Sequence, residues 1–357
     1  MALRALRSAV RGTWPYLALA VPLAVLAIVA ASVSSTLEQR VVLMLLNMIV
    51  VVGTYVFIGN SGVLSFGHIS FMAIGAYACA IVSIPPIMKG FLMPGLPEFV
   101  QNTELTGVLA ILIAGGVAAV FALVLSGPLM RLSGLAAGLA TFAVLITVNV
   151  VLSQWDDVTR GAQGIQGVPT DTTVHIALAW CLVVMALAFA FQTTRFALRL
   201  RASREDEIAA NSIGISVPRE RAIALVVSAF IVGIGGGLYA RFLGVFLPET
   251  FYFQLTALTI AMLVIGGTNS LAGAVVGTAA VSIFTEELRR MEVGQSIGPL
   301  HIAIRPGLQE VGVALLMLGI LVFRPKGITG GREVPWPGRT PEQPSQAPAS
   351  ARSARGD

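Results

Sequence analysis

The chain has 357 residues, of which 56% are hydrophobic and 11% charged, and its formal net charge is +5. Soluble domains carry about 25% charged residues, so this composition excludes a water-soluble globule, a disordered chain and a secreted disulfide scaffold. Seven windows lack Asp, Glu, Lys and Arg, and each is close to or above the ~20 residues that a membrane-crossing helix needs. These windows are Gly12–Leu37, Val41–Met88, Leu105–Met130, Leu132–Trp155, Thr172–Thr194, Ala222–Ala240 and Thr250–Thr285. The sequence therefore predicts an all-α polytopic membrane protein.

Ten hydrophobic segments follow one another along the chain. In order they are Tyr16–Val33, Val41–Ile58, Phe71–Ile87, Leu105–Leu129, Leu135–Leu152, Val174–Phe191, Ala222–Ala240, Leu255–Ile265, Ala272–Phe284 and Gly307–Phe323. The eighth and ninth are short, so they form either a re-entrant pair or one broken helix. We therefore expect about ten transmembrane helices, two of them short or broken.

These segments define one transmembrane permeation domain, residues 16–328. An N-terminal segment, residues 1–15, precedes it. The apolar run that follows is longer than the 7–15 residues of a signal peptide core, so we expect an uncleaved first helix. Residues 329–357 are rich in proline and poor in apolar side chains, which predicts a disordered tail.

The distribution of arginine predicts the orientation of the chain, because short loops rich in Lys and Arg face the cytoplasm. The loop of residues 195–221 is the most basic, so we expect it in the cytoplasm together with both chain termini. Its basic residues are Arg195, Arg199, Arg201, Arg204, Arg219 and Arg221. Arg289, Arg290 and Arg305 fall on the outer side, so that either this loop is an exception or the number of spans near Gly266–Ala272 differs. Basic residues placed between apolar spans indicate a lipid bilayer as partner and no nucleic acid.

The stretch from Gly59 to Ser70 is the densest run of glycine and small polar residues. Irregular backbone at membrane depth is tolerated only inside protein or beside a wet cavity, so we expect a broken helix next to a translocation path. Close packing of helices through small residues is the alternative. The candidate path residues are Gly59, Asn60, Gly62, Ser65, Gly67 and His68. His68 either faces the path and its substrate or satisfies a carbonyl across the break.

A second glycine-rich break adds Gly266, Gly267 and Asn269 to the candidate path. Interrupted segments in both halves suggest pseudo-repeated halves around a central path. The long apolar windows contain no carboxylate, which argues against membrane catalysis and against a proton-coupled carrier. A sodium-coupled carrier, which can use backbone carbonyls, remains an alternative.

The sequence predicts no nucleotide or metal site on this chain. Neither lysine, Lys89 or Lys326, stands in the Gly-Lys-Ser/Thr sequence of a P-loop. The three histidines, His68, His175 and His301, are too far apart in the sequence for ligand spacing. We therefore expect no cofactor here and no enzymatic activity, so that ATP-driven transport would need another subunit to bind the nucleotide.

The basic loop also contains a pattern typical of a short helix. Ser203 can cap a helix whose first turn holds Glu205, Asp206 and Glu207, which complement the helix dipole. Ala209 and Ala210 then provide a small flat face, and Gly214 can end the helix in a left-handed conformation. Such a helix either inserts into a groove of a partner protein or is a solvated connector.

This loop resembles the EAA coupling motif of ABC-importer permeases, with Ala209, Ala210 and Gly214 at the matching positions and Ile208 in place of the usual Glu. The chain as a whole resembles the branched-chain amino-acid permease family of LivM type, from about Val41 to Ile328. The matching stretches are GNSGVLSFGHISFMAIGAY, REDEIAANSIGI, ISVPRERAIALVVSAF, GIGGGLYARFLGVFLPETF, MLVIGGTNSLAGAVVG, FRPKGI and, in the outer loop, TRGAQGIQGVP.

The resemblance implies a bacterial inner-membrane permease subunit of an ABC importer. Its partners would be a homologous permease of LivH type, two subunits that bind ATP and Mg, and a periplasmic substrate-binding protein. On this basis the coupling residues would be Glu205, Asp206, Glu207, Ala209, Ala210 and Gly214. Branched-chain amino acids are the expected substrates, and urea, amides and aromatic acids are alternatives within the wider family.

Overall fold

The computed structural model describes residues 2–292, 307–331 and 333, and of residues 2–13 only the backbone. This part of the chain is all-α, and its one β-type pairing is an isolated bridge between Ile165 and Phe246. The helices are α1 (Ala2–Val33), α2 (Ser35–Ser61), α3 (His68–Ser83), α4 (Pro86–Leu92), α5 (Glu98–Gln101), α6 (Val108–Leu129), α7 (Gly134–Gln154), α8 (Asp156–Thr159), α9 (Val174–Thr193), α10 (Arg195–Glu205), α11 (Glu207–Ser212), α12 (Val217–Leu243), α13 (Phe253–Gly266), α14 (Leu271–Glu292) and α15 (Leu308–Phe323).

Eight helical stretches in the described residues are long and apolar enough to cross a membrane. A ninth span is formed if α3 and α4 are counted together, although these helices are bent by 120° where Pro85 and Pro86 interrupt them. The tenth predicted segment is α15, which is apolar but has 16 residues, fewer than the ~20 of a full crossing. Eight or nine spans and this further apolar helix agree with the expected number of about ten.

The prediction that the eighth and ninth segments are short was wrong for α14, which has 22 residues. α13 has 14 residues but becomes a 19-residue apolar stretch with the 3-10 turn Pro248–Phe251 before it. The two helices form an antiparallel hairpin, since a Cβ added to Gly266 would lie 1.9 Å from Gly273 O and one added to Gly277 would lie 2.1 Å from Met262 O. They are thus two packed helices rather than one broken helix.

Helix α12 lies at the centre of the bundle and packs closely on its neighbours through glycines. A Cβ added to Gly236 would lie 2.0 Å from the carbonyl oxygen of Met72 in α3, and one added to Gly233 would lie 2.6 Å from Ala118 Cβ in α6. A Cβ added to Gly75 would lie 2.4 Å from the carbonyl oxygen of Gly233. Such short distances are expected where helices pack closely through small residues. These contacts hold α3, α6 and α12 together without any charged group.

A buried arginine near the end of α12 holds the loop that precedes α9. The side chain of Arg241 is 1% exposed and forms an ion pair with Asp171, donating from Nε to Oδ1 at 2.7 Å. Arg241 also donates to Ser83 Oγ at the end of α3, over 3.0 Å. Burial of a charge is tolerated when it is paired and hydrogen-bonded in this way. The end of the bundle opposite α11 is therefore tied together by an arginine and a carboxylate.

Candidate coupling and translocation site

The first glycine-rich segment is an interruption between two helices. α2 continues through Gly59 and Asn60 and ends where Gly62 adopts φ +70°, which a glycine accommodates without strain. The chain is then non-helical as far as Gly67, and α3 begins at His68. Of the path residues predicted in this segment, Gly62 is exposed and the others are buried, namely Gly59, Asn60, Ser65, Gly67 and His68.

His68 is enclosed by aromatic side chains in this structure. Its side chain is 2% exposed, and its ring centroid lies 5.5 Å from that of Phe57 and 6.0 Å from that of Phe71. The imidazole therefore does not face an open path in this conformation. Its predicted role beside a substrate stays a prediction.

The second glycine-rich segment joins α13 to α14. Gly267 has φ +117°, and a Cβ at this position would lie 3.0 Å from both Lys326 O and Thr329 Oγ1. Asn269 is exposed, whereas the neighbouring Ser270 is buried. Gly267 is thus required both by its backbone conformation and by the chain that follows α15.

The beginning of the predicted disordered tail packs on this second segment. Thr329 N donates to Gly266 O over 3.1 Å. The Glu333 carboxylate accepts from Leu271 N at 2.8 Å and from Ala272 N at 3.3 Å, at the N-terminal end of α14 where a negative charge is favourable. Thr329 and Glu333, which lie in the predicted tail, thus contact the helix bundle, and the boundary at residue 329 stays a prediction. Residues 334–357 lie outside the described part of the chain.

Two arginines of α10 connect the coupling loop to both glycine-rich segments. Arg204 Nη1 donates to Gly59 O at 2.8 Å and to Asn269 Oδ1 at 3.0 Å. Arg201 Nε donates to Asn60 Oδ1 at 2.7 Å. The structure thus brings together residues that are more than 200 positions apart in the sequence. Sequence reasoning counted these arginines only as orientation signals, although two of them lie one helical turn apart, at i and i+3.

The coupling loop folds as two helices rather than the one that was predicted. Ser203 does not cap a helix, because it is buried within α10 and donates to Leu200 O. The N-cap is Asp206, whose carboxylate accepts from Ile208 N and Ala209 N at 2.9 and 3.0 Å and separates α10 from α11. An aspartate is as good an N-cap as a serine, so residue type alone did not distinguish the two positions.

The predicted coupling residues divide into internal and exposed positions. Asp206 is occupied as the cap, Glu207 pairs with the buried Arg221 at 2.9 Å, and Ala210 is 3% exposed. Glu205, Ala209 and Gly214 face outward, and Gly214 has φ +84°.

The outward face of α11 also carries two large apolar side chains that the sequence reading did not select. Ile208 and Ile213 are 81% and 77% exposed on a loop whose other outward residues are mostly polar. Their signal in the sequence was an apolar side chain on each side of the small residues Ala209 and Ala210.

Comparison with known proteins agrees with this architecture. Residues 36–323 match the family model for the permease component of the branched-chain amino acid transport system. The chain belongs to this family. Because the same chain contains eight or nine apolar spans in its described residues, it is a multi-pass membrane protein.

Three curated relatives illustrate the range of the family. The chain is 29% identical over 282 residues to the high-affinity branched-chain amino acid transport system permease protein LivM of Escherichia coli, which covers 70% of this chain and 62% of that protein. It is 28% identical over 149 residues to the "Probable branched-chain amino acid transport permease protein LivH" of Methanocaldococcus jannaschii, 42% of this chain and 45% of that one. It is 30% identical over 155 residues to the nucleoside ABC transporter permease protein NupC of Lactococcus lactis, which covers 43% of this chain and 44% of that protein. The chain thus spans about three fifths of the length of LivM.

Proposed function

We propose that the chain is the permease subunit of an ATP-driven ABC importer and forms half of a translocation path for branched-chain or related amino acids. A homologous permease of LivH type, two ATP-binding subunits and a periplasmic binding protein complete this importer in a bacterial inner membrane. The observation that carries the proposal is the connection of α10 to both glycine-rich segments through Arg201 and Arg204. Family membership supports the substrate class.

The exposed face of α11 is the surface that an ATP-binding subunit would contact. Large exposed apolar side chains surrounded by polar ones mark protein interfaces, and Ile208 and Ile213 provide two such anchors. Ala209 between them allows a partner surface to approach closely. In this arrangement the loop of α10 and α11 and both chain termini lie in the cytoplasm.

Movement of α11 would then reach the path through α10. Because Arg204 binds Gly59 and Asn269 at once, a displacement of α10 moves the end of α2 and the α13–α14 junction together. Gly62 and Gly267, both with positive φ, are the positions at which the backbone can turn without side-chain strain. ATP binding on the partner subunits would thus change the opening of the path.

Variants of Ala209 test this docking directly, since its side chain is exposed. Ala209→Glu introduces bulk and charge on the exposed face of α11. Ala209→Ser is the matched control that keeps the side chain small. We expect Ala209→Glu to lower ATP-driven uptake by more than tenfold and to reduce recovery of the ATP-binding subunits with the purified chain. Ala209→Ser should retain both, and both variants should insert into the membrane equally well.

Unchanged uptake and unchanged recovery of ATP-binding subunits in Ala209→Glu would refute the docking role. Uptake driven by a sodium gradient in vesicles that contain this chain alone would refute the importer and support a secondary carrier. For the substrate, competition of leucine uptake by excess unlabelled isoleucine, nucleoside, urea and an aromatic acid separates the classes. We expect competition by isoleucine only.

A further inference from the structure

A cavity lies at the end of the bundle opposite α11, between α2, α12, α13, α14 and α15. We call it the Arg40 cavity, after the arginine that lines it together with Glu286 and Arg289. Its volume is about 310 Å³, at the lower end of the ~300–1,000 Å³ typical of small-molecule sites. Arg40 and Gly59 are 19 residues apart on α2, which corresponds to about 30 Å of helix. The cavity is therefore well separated from the coupling residues.

The charged residues that line the Arg40 cavity are two arginines and one glutamate, namely Arg40, Arg289 and Glu286. Arg40 pairs with Glu286 at 2.8 Å, and Arg289 pairs with the same carboxylate at 3.0 Å. Arg290, which does not line the cavity, lies 3.5 Å from Glu286 and 3.0 Å from Glu287. Three guanidinium groups, each with five N–H donors, thus share two carboxylates with about four acceptor sites each. Donors remain for a further anionic group.

Glu292, near the end of α14, is hydrogen-bonded to backbone groups at the start of α15. Glu292 accepts from Gly307 N at 3.1 Å and from Gln309 N at 2.9 Å at the start of α15. In addition, the buried hydroxyl of Ser282, which lines the cavity, has no hydrogen-bond partner among the described residues. An unpartnered buried hydroxyl next to a cavity is a group that a bound polar ligand can satisfy.

Part of the lining of the cavity is apolar. Leu43 and Met44 of α2 and Leu258 of α13 line it. A site that combines guanidinium groups, one carboxylate and an aliphatic wall matches the chemistry of a small amino acid, because an arginine binds a carboxylate in bidentate geometry and an aliphatic side chain is stabilised by burial.

We propose that the Arg40 cavity is a binding site for a small aliphatic amino acid, which rests on the proposed function for the choice of this ligand class. Arg40 and Arg289 bind the carboxylate, Glu286 binds the ammonium group, and the aliphatic side chain packs on Leu43 and Leu258. Substrate would occupy this site at the end of the path opposite the coupling helix, before it reaches the glycine-rich segments.

Equilibrium binding of radiolabelled L-leucine to the purified transporter complex tests this site, without binding protein and without ATP. Competition by 4-methylpentanoate, which lacks the amine, and by leucinamide, which lacks the carboxylate, identifies the groups that are recognised. We expect leucine to bind most tightly, 4-methylpentanoate up to about tenfold more weakly, and leucinamide at least a hundredfold more weakly. Leucinamide that competes as well as leucine would overturn the proposal.

Adjacent pairs of residues on α14 provide matched controls. Arg289→Gln should weaken leucine binding at least tenfold and Arg290→Gln should not, because only Arg289 lines the cavity. Glu286→Gln should weaken the binding of leucine but not of 4-methylpentanoate, whereas Glu287→Gln should change neither. Equal effects of Arg289→Gln and Arg290→Gln, in variants whose melting temperatures match that of the parent, would show a general effect of charge and refute the site.

This assay requires neither ATP nor the binding protein, so its outcome is separate from that of the proposed function. ATP-driven uptake with unaltered KM in Arg289→Gln would refute amino-acid binding in the Arg40 cavity and would leave the proposal of an importer unaffected. Specific leucine binding by a chain that shows no ATP-driven uptake would support amino-acid binding in the cavity and refute the proposal of an importer.

Discussion

Arginines occupy both ends of the helix bundle. The α11 end also has ion pairs, Arg221–Glu207 and Arg204–Glu205, but the contacts that hold its glycine-rich segments differ from those at the opposite end. At the α11 end, Arg201 and Arg204 donate to neutral oxygens of Asn60, Gly59 and Asn269. At the opposite end the arginines pair with carboxylates, in Arg241–Asp171 and in Arg40–Glu286.

The difference matters because the two kinds of contact break at different cost. A hydrogen bond from a charged donor contributes about 1.5–3 kcal/mol, and a neutral acceptor that is released leaves no unpaired anion behind. Separation of a buried ion pair leaves an uncompensated charge at a cost of about 3–5 kcal/mol. The bonds between α10 and the glycine-rich segments therefore break at lower cost than the ion pairs of the opposite end.

The largest expected effect is that of Gly266→Ala, which tests whether the α11 end requires the close contact between α13 and α14. The new Cβ would lie 1.9 Å from Gly273 O, so that α13 and α14 must separate. We expect a loss of about 3 kcal/mol in the free energy of unfolding, measured by denaturant titration in detergent. Gly116→Ala is the control, because no atom lies within 4 Å of its Cβ. An equal loss in both variants would contradict the packing account.

Next in size is the ion pair of the opposite end, where the two partners should be unequal. Arg241 is 1% exposed and Asp171 is 49% exposed. Asp171→Leu leaves a buried positive charge and should cost about 3 kcal/mol, whereas Arg241→Gln leaves a carboxylate that water can reach and should cost about 1–2 kcal/mol. Melting temperatures of the two variants measure the difference, and the reverse order would contradict the assigned burial.

A smaller and more local effect is expected for Arg204→Gln. Loss of the bonds to Gly59 and Asn269, and of the pair with the exposed Glu205, should lower the melting temperature less than Asp171→Leu does, because no buried charge is left unpaired. Amide hydrogen exchange in residues 62–67 and 267–270 should become about tenfold faster, which corresponds to ~1.4 kcal/mol. Arg195→Gln, an exposed arginine on the same helix, should not change these rates.

The smallest effect concerns the junction between α10 and α11. Asp206→Ala removes the cap and should destabilise α11 by about 1 kcal/mol, whereas Asp206→Ser keeps an accepting oxygen and should cost a few tenths of that. Exchange rates of the amides of Ile208 and Ala209 measure it. Identical rates in both variants would show that the cap does not stabilise α11.

Much of the fold could be predicted because its causes are local. Apolar segments of about the length of a membrane-crossing helix predicted the helical regions of the bundle. Gly62 and Gly267 were selected because a run of glycine interrupts an apolar segment. The end of α14 was missed since Glu286 and the residues after it interrupt the apolar pattern while the helix continues to Glu292. A polarity pattern reports what a helix faces rather than where it ends.

By itself, the sequence determined the class of the protein, the approximate spans and the two glycine-rich interruptions, because helix formation and membrane partitioning depend on neighbouring residues. Only the tertiary structure decided that Arg204 joins those interruptions, that Glu333 caps α14 and that Arg40 and Glu286 line one cavity. These contacts link residues 62 to 246 positions apart. Their partners are chosen by the packing of whole helices, which no local pattern specifies.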